Sequence, residues 1–340
     1  MKKGTKDADK WTVSPAEATT TGVAKDTPVS LTYGGRLKVK DVTAKIAPID
    51  LSEVTEHTRI EDGSTITGTL DGQTQPYKIT IAEGATVTLD GVTINGVKNN
   101  SYPWAGINCL GDATIILSGT NTVKGFHRYY PGIYVPQNKT LTIQGSGSLT
   151  ASSNGYACGI GGGYQIACGN IVIAGGTITA TGGMATAGIG SGYNAGCGTI
   201  SITGGTITAN GGYNSAGIGG GYSGSCGNIS ITGGTITATS AMSGAGIGSG
   251  GGSNAGCGNI SITGGTITAQ GGMYGAGIGT GYYGSCGNIT ITNGVTSVTA
   301  IKGNQANHSI GEGNSGGCGV VTVMGADGEI SQSPYTYPQN

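Results

Sequence analysis

The chain has 340 residues, 71 of them Gly, about three times the usual ~7% share but without the strict Gly-X-Y period of collagen. Charged residues are only 10% and the formal net charge is −1, so there is neither a basic face for nucleic acid nor an acidic tail. No apolar run is long enough for a membrane-spanning helix, and no Asp, Glu, Lys, Arg or His lies between Ala151 and Ala300.

Residues 1–58 differ from the rest: as far as Glu56 they hold 9 of the 16 Lys and Arg and 8 of the 17 acidic residues. The opening MKKGTKDADK has the basic character of a signal n-region, with no apolar h-region behind it. Either the chain is cytosolic or phage-like, or it is a mature fragment with an added Met, the signal peptide being absent. An exposed repetitive surface favours the second reading, a secreted or cell-surface protein. SPAEATTTGVAKDTP reads as a linker, and VSLTYGGRLKVKDV as a hairpin turning at Gly34-Gly35. This region is expected to cap the repeats on its C-terminal side or to tether them to something upstream.

From 59 to 325 a three-strand phrase recurs. GSTITGTL and YKITI open it irregularly. The first full coil is TVTL, VTI and AGIN (Thr86 to Asn108); the second is ATIIL, NTV and GIYV (Ala113 to Val135); the third is TLTI, SLTA and CGIGG (Thr140 to Gly162). Beyond Cys168 the phrase becomes nearly exact, as in CGTISITGGTITANGGYNSAGIGGGYSGS from Cys197. Successive cysteines at 168, 197, 226, 257, 286 and 318 stand 29, 29, 31, 29 and 32 residues apart, a period that marks a solenoid. Short strands of period-two alternation, no helical periodicity and a glycine corner between strands describe a parallel β-helix of about eight complete coils. Residues 326–340 read as a C-terminal cap or tail, because Pro334 and Pro338 cannot extend a ladder.

Parity assigns the interior. Ile229, Ile231, Ile236, Ala238, Ala245 and Ile247 point inward, and Ser230, Thr232, Thr235 and Thr237 outward. Equivalent residues then stack about 4.8 Å apart, like on like. A single coil cannot bury its own aliphatic row, so stability comes from the stack.

The coils differ most in the loop between their second and third strands. Here stand Tyr102 and Trp104, then Phe126 to Tyr130, then Tyr156, Met184, Tyr213, Met242, Met273 and Tyr274. A second aromatic row, Tyr164, Tyr193, Tyr222 and Tyr282, follows the third strand. Sugar rings offer flat C–H faces rimmed by hydroxyls, and exposed aromatics flanked by polar side chains suit them. Tyr102, Trp104, Tyr129 and Tyr130 are therefore expected as platforms, with Asn99, Asn100, His127 and Arg128 as hydrogen-bond partners and Phe126 beside them among the ligand-binding residues. The bland alternative is that these loops fold over a coil flank.

Other constellations weigh less. The six in-register cysteines fall within disulfide reach, so three inter-coil bridges are feasible, each worth roughly 3–4 kcal/mol by loop closure; the alternative is a ladder of half-buried free thiols. Cys109 and Cys158 read as plain core. No CxxC or HxxxH spacing points to a metal, no cofactor is expected, and calcium at the early Asp-bearing turns is left open. GAGIGSG recurs without Lys or a following helix and is structural. Thr177, Thr179, Thr206, Thr208, Thr235, Thr237, Thr266 and Thr268 form an outward Thr-x-Thr array like the faces of ice-binding solenoids, although Thr is also simply favoured on exposed strands. Acid and base groups outside the first region cluster in the early coils, including Asp62, Asp71, Asp90 and Asp112, of which Asp90 and Asp112 read as turn residues. No carboxylate pair for glycoside hydrolysis is identified, so the chain is not expected to be an enzyme.

The AGIGGG, CGNISI and GGTITA phrases resemble the glycine-rich repeats of bacterial surface and secreted proteins, carbohydrate-binding or adhesin-like, with a right-handed parallel β-helix of pectin-lyase-like fold. The resemblance is strong over Ala157 to Gly319 and carries no catalytic residue across. It implies a non-catalytic surface protein that binds a glycan or a host or neighbouring surface. A structural or adhesive fibre segment is the alternative, followed by a polysaccharide lyase or hydrolase and an ice binder. Oligomeric state is left open.

Overall fold

The computed structural model describes residues 11–14, 28–33, 37–43 and 47–338. Trp11–Ser14, Pro28–Tyr33 and Leu37–Thr43 form a three-stranded antiparallel sheet. The pairing of the last two agrees with the expected hairpin. The body of the linker (15–27) and the Gly34-Gly35 turn lie outside the described residues.

From Ile49 onward the chain is an all-β parallel solenoid, its only described helix a single 3-10 turn at Leu51–Glu53. First strands of successive coils join one sheet of 12 strands, and second and third strands join two sheets of 10 each. The eight coils read from the sequence run from Thr86–Asp90, Thr93–Asn95 and Ile107–Cys109 to Ile289–Ile291, Ser297–Ile301 and Ile310–Gly311. One more three-strand turn precedes them, Thr65–Thr67, Thr69–Asp71 and Ile79–Ile81, where the sequence looked irregular. The ladder reaches back further, because Ile49 pairs with Ile66 and Thr58–Ile60 with Ile79–Ile81. The solenoid thus begins about ten residues before the boundary at 59.

Register is one coil on the next, like on like. Ile171, Ile200, Ile229, Ile260 and Ile289 form one column, and Ile178, Ile207, Ile236 and Ile267 another, continued by Val298. All are fully buried or within 1% of it. The inward parity holds at Ile229, Ile231, Ile236, Ala238, Ala245 and Ile247 without exception. At about 1.5–3 kcal/mol per buried Ile, each coil is stabilised chiefly by what its neighbours cover.

The third strand is only Ile-Gly in most coils, and its glycine is obligatory. Gly190, Gly219, Gly248 and Gly279 adopt φ between 128° and 137°, and an added Cβ would run into the carbonyl of the equivalent glycine in the next coil. Just after it, buried hydroxyls replace lost backbone partners. Ser191 Oγ accepts from Gly221 N–H at 2.8 Å and Thr280 Oγ1 from Gly313 N–H at 2.9 Å. A fourth strand, absent from the three-strand reading, appears at Gly196–Cys197, Ser225–Cys226, Gly256–Cys257 and Ser285–Cys286.

The C-terminal segment closes the stack across all three sheets. Ala326–Asp327 pairs antiparallel with the last first strand, Ile330 bridges Ile310, and Tyr335–Tyr337 pairs antiparallel with Ser297–Ile301. Reversal of direction ends a parallel ladder without leaving its edge free for another copy.

Candidate functional site

Constant register is what builds the site, because one side chain per coil recurs at the same place. Tyr164, Tyr193 and Tyr222 follow the third strands of three successive coils. Their rings stack: Tyr164 on Tyr193 at 4.8 Å between centroids and 1° between planes, Tyr193 on Tyr222 at 5.7 Å and 23°. Tyr129, from the loop of an earlier coil, closes one end of the row on Tyr164 at 4.7 Å. Arg128 lies over the Tyr129 ring, its guanidinium carbon 4.6 Å from the centroid, a cation–π contact. Across from this row, the loops between second and third strands supply Tyr156, Met184 and Tyr213, the last two 59% and 56% exposed. Between the two sides runs an open cleft of about 530 Å³.

A second cleft, of about 620 Å³, continues it and shares Asn214 and Tyr222. It lies where the tyrosine row is interrupted. In the coil after Tyr222 the equivalent position is Gly251, so a ring is missing before the row resumes at Tyr282, which packs against Tyr274 at 5.0 Å. Met242 and Ser243 line this gap.

The nine residues expected to bind are divided by the structure. Phe126 is completely enclosed and His127 is 8% exposed, so neither presents its side chain to a ligand at the surface. Trp104 is folded over the coil flank, with His57 at 5.1 Å, Tyr102 at 5.4 Å and Phe126 at 6.0 Å around it; its indole N–H is buried without a partner. That cluster covers apolar core, as the bland alternative had it. Asn99 spends its Oδ1 on Ser101 N–H at 2.9 Å, while Asn100 is exposed. Tyr130 lines a separate hollow with Tyr134 and Lys78. Arg128 and Tyr129 alone of the nine line the groove. Tyr156, Met184 and Tyr213 stand in the first row read from sequence, and Tyr164, Tyr193 and Tyr222 in the second; only the fold shows that the two rows face one cleft.

His127 positions the loop. Its Nδ1 accepts from Tyr129 N–H at 3.1 Å, and its ring meets Tyr129 and Tyr130 edge-on. Burial, then the neighbouring Arg128 charge, holds its pKa below the ordinary imidazole value, so it stays neutral.

The early aspartates are used as clamps between coils and within turns. Asp62 accepts from Thr86 N–H at 2.8 Å, Asp112 from Thr140 N–H at 2.7 Å, Asp90 from Ser118 Oγ at 3.0 Å and Asp71 from Gln73 N–H at 3.0 Å. Among the described residues, the cluster with three ligand atoms mutually within 4.8 Å is instead His308, Glu312 and Glu329, near the C-terminal closure. His308 and Glu312 are close in sequence, but Glu329 joins them only through the C-terminal closure, so no local spacing revealed the set.

The threonine array is longer than the four coils read from sequence. Thr93, Thr122, Thr150, Thr179, Thr208, Thr237, Thr268 and Thr299 form one unbroken row, with Thr177, Thr206, Thr235 and Thr266 beside it. All eight cysteines are free thiols, and Cys109 and Cys158 are buried in the core.

The family described as Beta helix repeat matches residues 141–164, 171–193, 200–222, 229–251 and 260–282. These five segments are β-helix repeats, and each ends at or beside the tyrosine row. No curated protein and no solved structure matches the chain.

Proposed function

We propose that this chain is a non-catalytic module of a bacterial cell surface or secreted protein, and that it holds a glycan chain in the tyrosine-lined groove. One observation carries the reading: two adjoining clefts, sharing Asn214 and Tyr222, run along the stack of coils and are walled by tyrosine rings. An open trough of this kind fits a polymer better than a small enclosed ligand. Stacked rings spend their faces on one another and turn edges and hydroxyls outward, so Tyr164 and Tyr193 act as hydrogen-bonding rails. The gap at Gly251 is where a sugar ring can lie between aromatic neighbours. Arg128 is the one charged side chain on the groove.

A glycan array on the purified chain, with and without calcium, tests this. Tyr193→Ala is expected to weaken retention at least tenfold, and Gly251→Tyr, which restores the missing ring, to abolish the part that depends on the gap. Trp104→Ala, away from the groove, should leave retention unchanged where the fold survives. A blank array, or retention indifferent to Tyr193, overturns the reading.

A structural or adhesive fibre segment is the second reading, favoured by the threonine rows and the charge-free coils. Concentration-dependent association in sedimentation supports it. Release of reducing ends or unsaturated products points to an enzyme, and thermal hysteresis to an ice binder.

A further inference from the structure

The cysteine row has no part in the groove, and it is more regular than core packing requires. Cys197, Cys226, Cys257 and Cys286 are direct partners in successive parallel strands. Cys168 joins one end, donating its N–H to Gly196 O at 2.9 Å, and Cys318 follows Gly317, which pairs with Ser285, at the other. In this register each cysteine has the next a single coil step away, about 4.8 Å along the stack. A hollow of about 230 Å³ reaches Cys168 and Cys197 from solvent beside Gln137 and Asn170. Cys257, Cys286 and Cys318 are themselves partly exposed.

We propose that this row binds soft monovalent cations, copper(I) or silver(I), one between each pair of neighbouring thiolates. Two metal–sulfur bonds of about 2.3 Å end to end span about 4.6 Å, close to the ~4.8 Å step from coil to coil. A cation can therefore enter between side chains that keep their positions. Each gap offers two sulfurs, the next being a further coil away, so the four-coordinate shell of zinc is not available from the row. Thiolate sulfur selects soft cations, and copper(I) is one of them.

Charge favours filling the whole row. Six thiols have five gaps; five cations displace six protons, and the filled row carries a single negative charge. Isolated pairs would each carry that charge, in coils where no Lys, Arg or His stands between Lys139 and Lys302 to offset it. At the far end Cys318 Sγ donates to Glu329 Oε1 at 3.1 Å.

The test is an anaerobic copper(I) titration of the reduced full chain against a chromogenic copper(I) chelator, with native mass spectrometry to count bound ions. The wild type is expected to take up to five copper(I) and to release protons in step. Cys226→Ser with Cys257→Ser leaves only the gaps 168–197 and 286–318, so the count falls from about five to about two. Cys109→Ser, in the core and away from the row, keeps about five where circular dichroism shows a folded chain. Failure to compete with the chelator overturns the proposal, as does equal uptake by the Cys226/Cys257 variant. Native masses that show three disulfides in the chain as isolated, two hydrogens lighter for each bridge, overturn it in favour of staples. None of these outcomes bears on the tyrosine groove.

Discussion

Ile236 and Thr237 are adjacent and have opposite fates, and the difference is one of parity. Ile236 is 1% exposed between Ile207 and Ile267, whereas Thr237 faces solvent in the threonine row. Truncating Ile236 to Ala opens a cavity bounded by coils that cannot close on it without moving their own ladders. The expected loss is about 2–5 kcal/mol, read as a lowered urea midpoint, while Thr237→Ala stays within about 0.5 kcal/mol of wild type. A similar loss in both variants would mean that the outward face packs against something.

The loop that carries Arg128 to Tyr130 depends on a neutral histidine. Above the ordinary imidazole range, near pH 6.5, His127 is neutral in both folded and unfolded chains. Its folded pKa is lowered, so as pH falls the unfolded chain takes up a proton that the folded one resists, and stability declines. Denaturant unfolding at pH 7.5 and 5.5 should show that decline, and His127→Asn should flatten it. An unchanged slope in the variant would place the acid sensitivity elsewhere. In the same coil the lost exposure of Phe126 anchors the loop, so a residue read as a ligand contact serves to aim Tyr129.

A stack of identical coils ends with free sheet edges, and the last thirteen described residues cover one end of all three sheets. Tyr335 is 7% exposed against the final second strand. Deleting 326–340 uncovers parallel edges in a region with little charge to repel a second copy. The expected result is stronger concentration-dependent association in analytical ultracentrifugation for the truncated chain than for the intact one. A truncated chain that stays monomeric would show that the edges are guarded without the cap.

Period, strand order and inward parity could be read from the residues alone, because in a solenoid each coil's neighbours are near copies of itself. A column such as Ile171, Ile200 and Ile229 is written in the spacing. The free state of the cysteines and the fate of the aromatic loops could not be read that way. Trp104 and Phe126 look like surface anchors in sequence, yet local folding of irregular early loops buries Phe126 and wraps Trp104. Tyr164 and Tyr193 become a groove wall because the coil step brings residues 29 apart to ring-stacking distance. The fourth strand at Gly196–Cys197 and Ser225–Cys226 has the same origin, as does the antiparallel pairing by which the expected cap meets all three sheets. Side-chain alternation is a property of one strand, and the chain states it locally; contact between irregular loops depends on where every coil has placed them, which only the assembled stack decides.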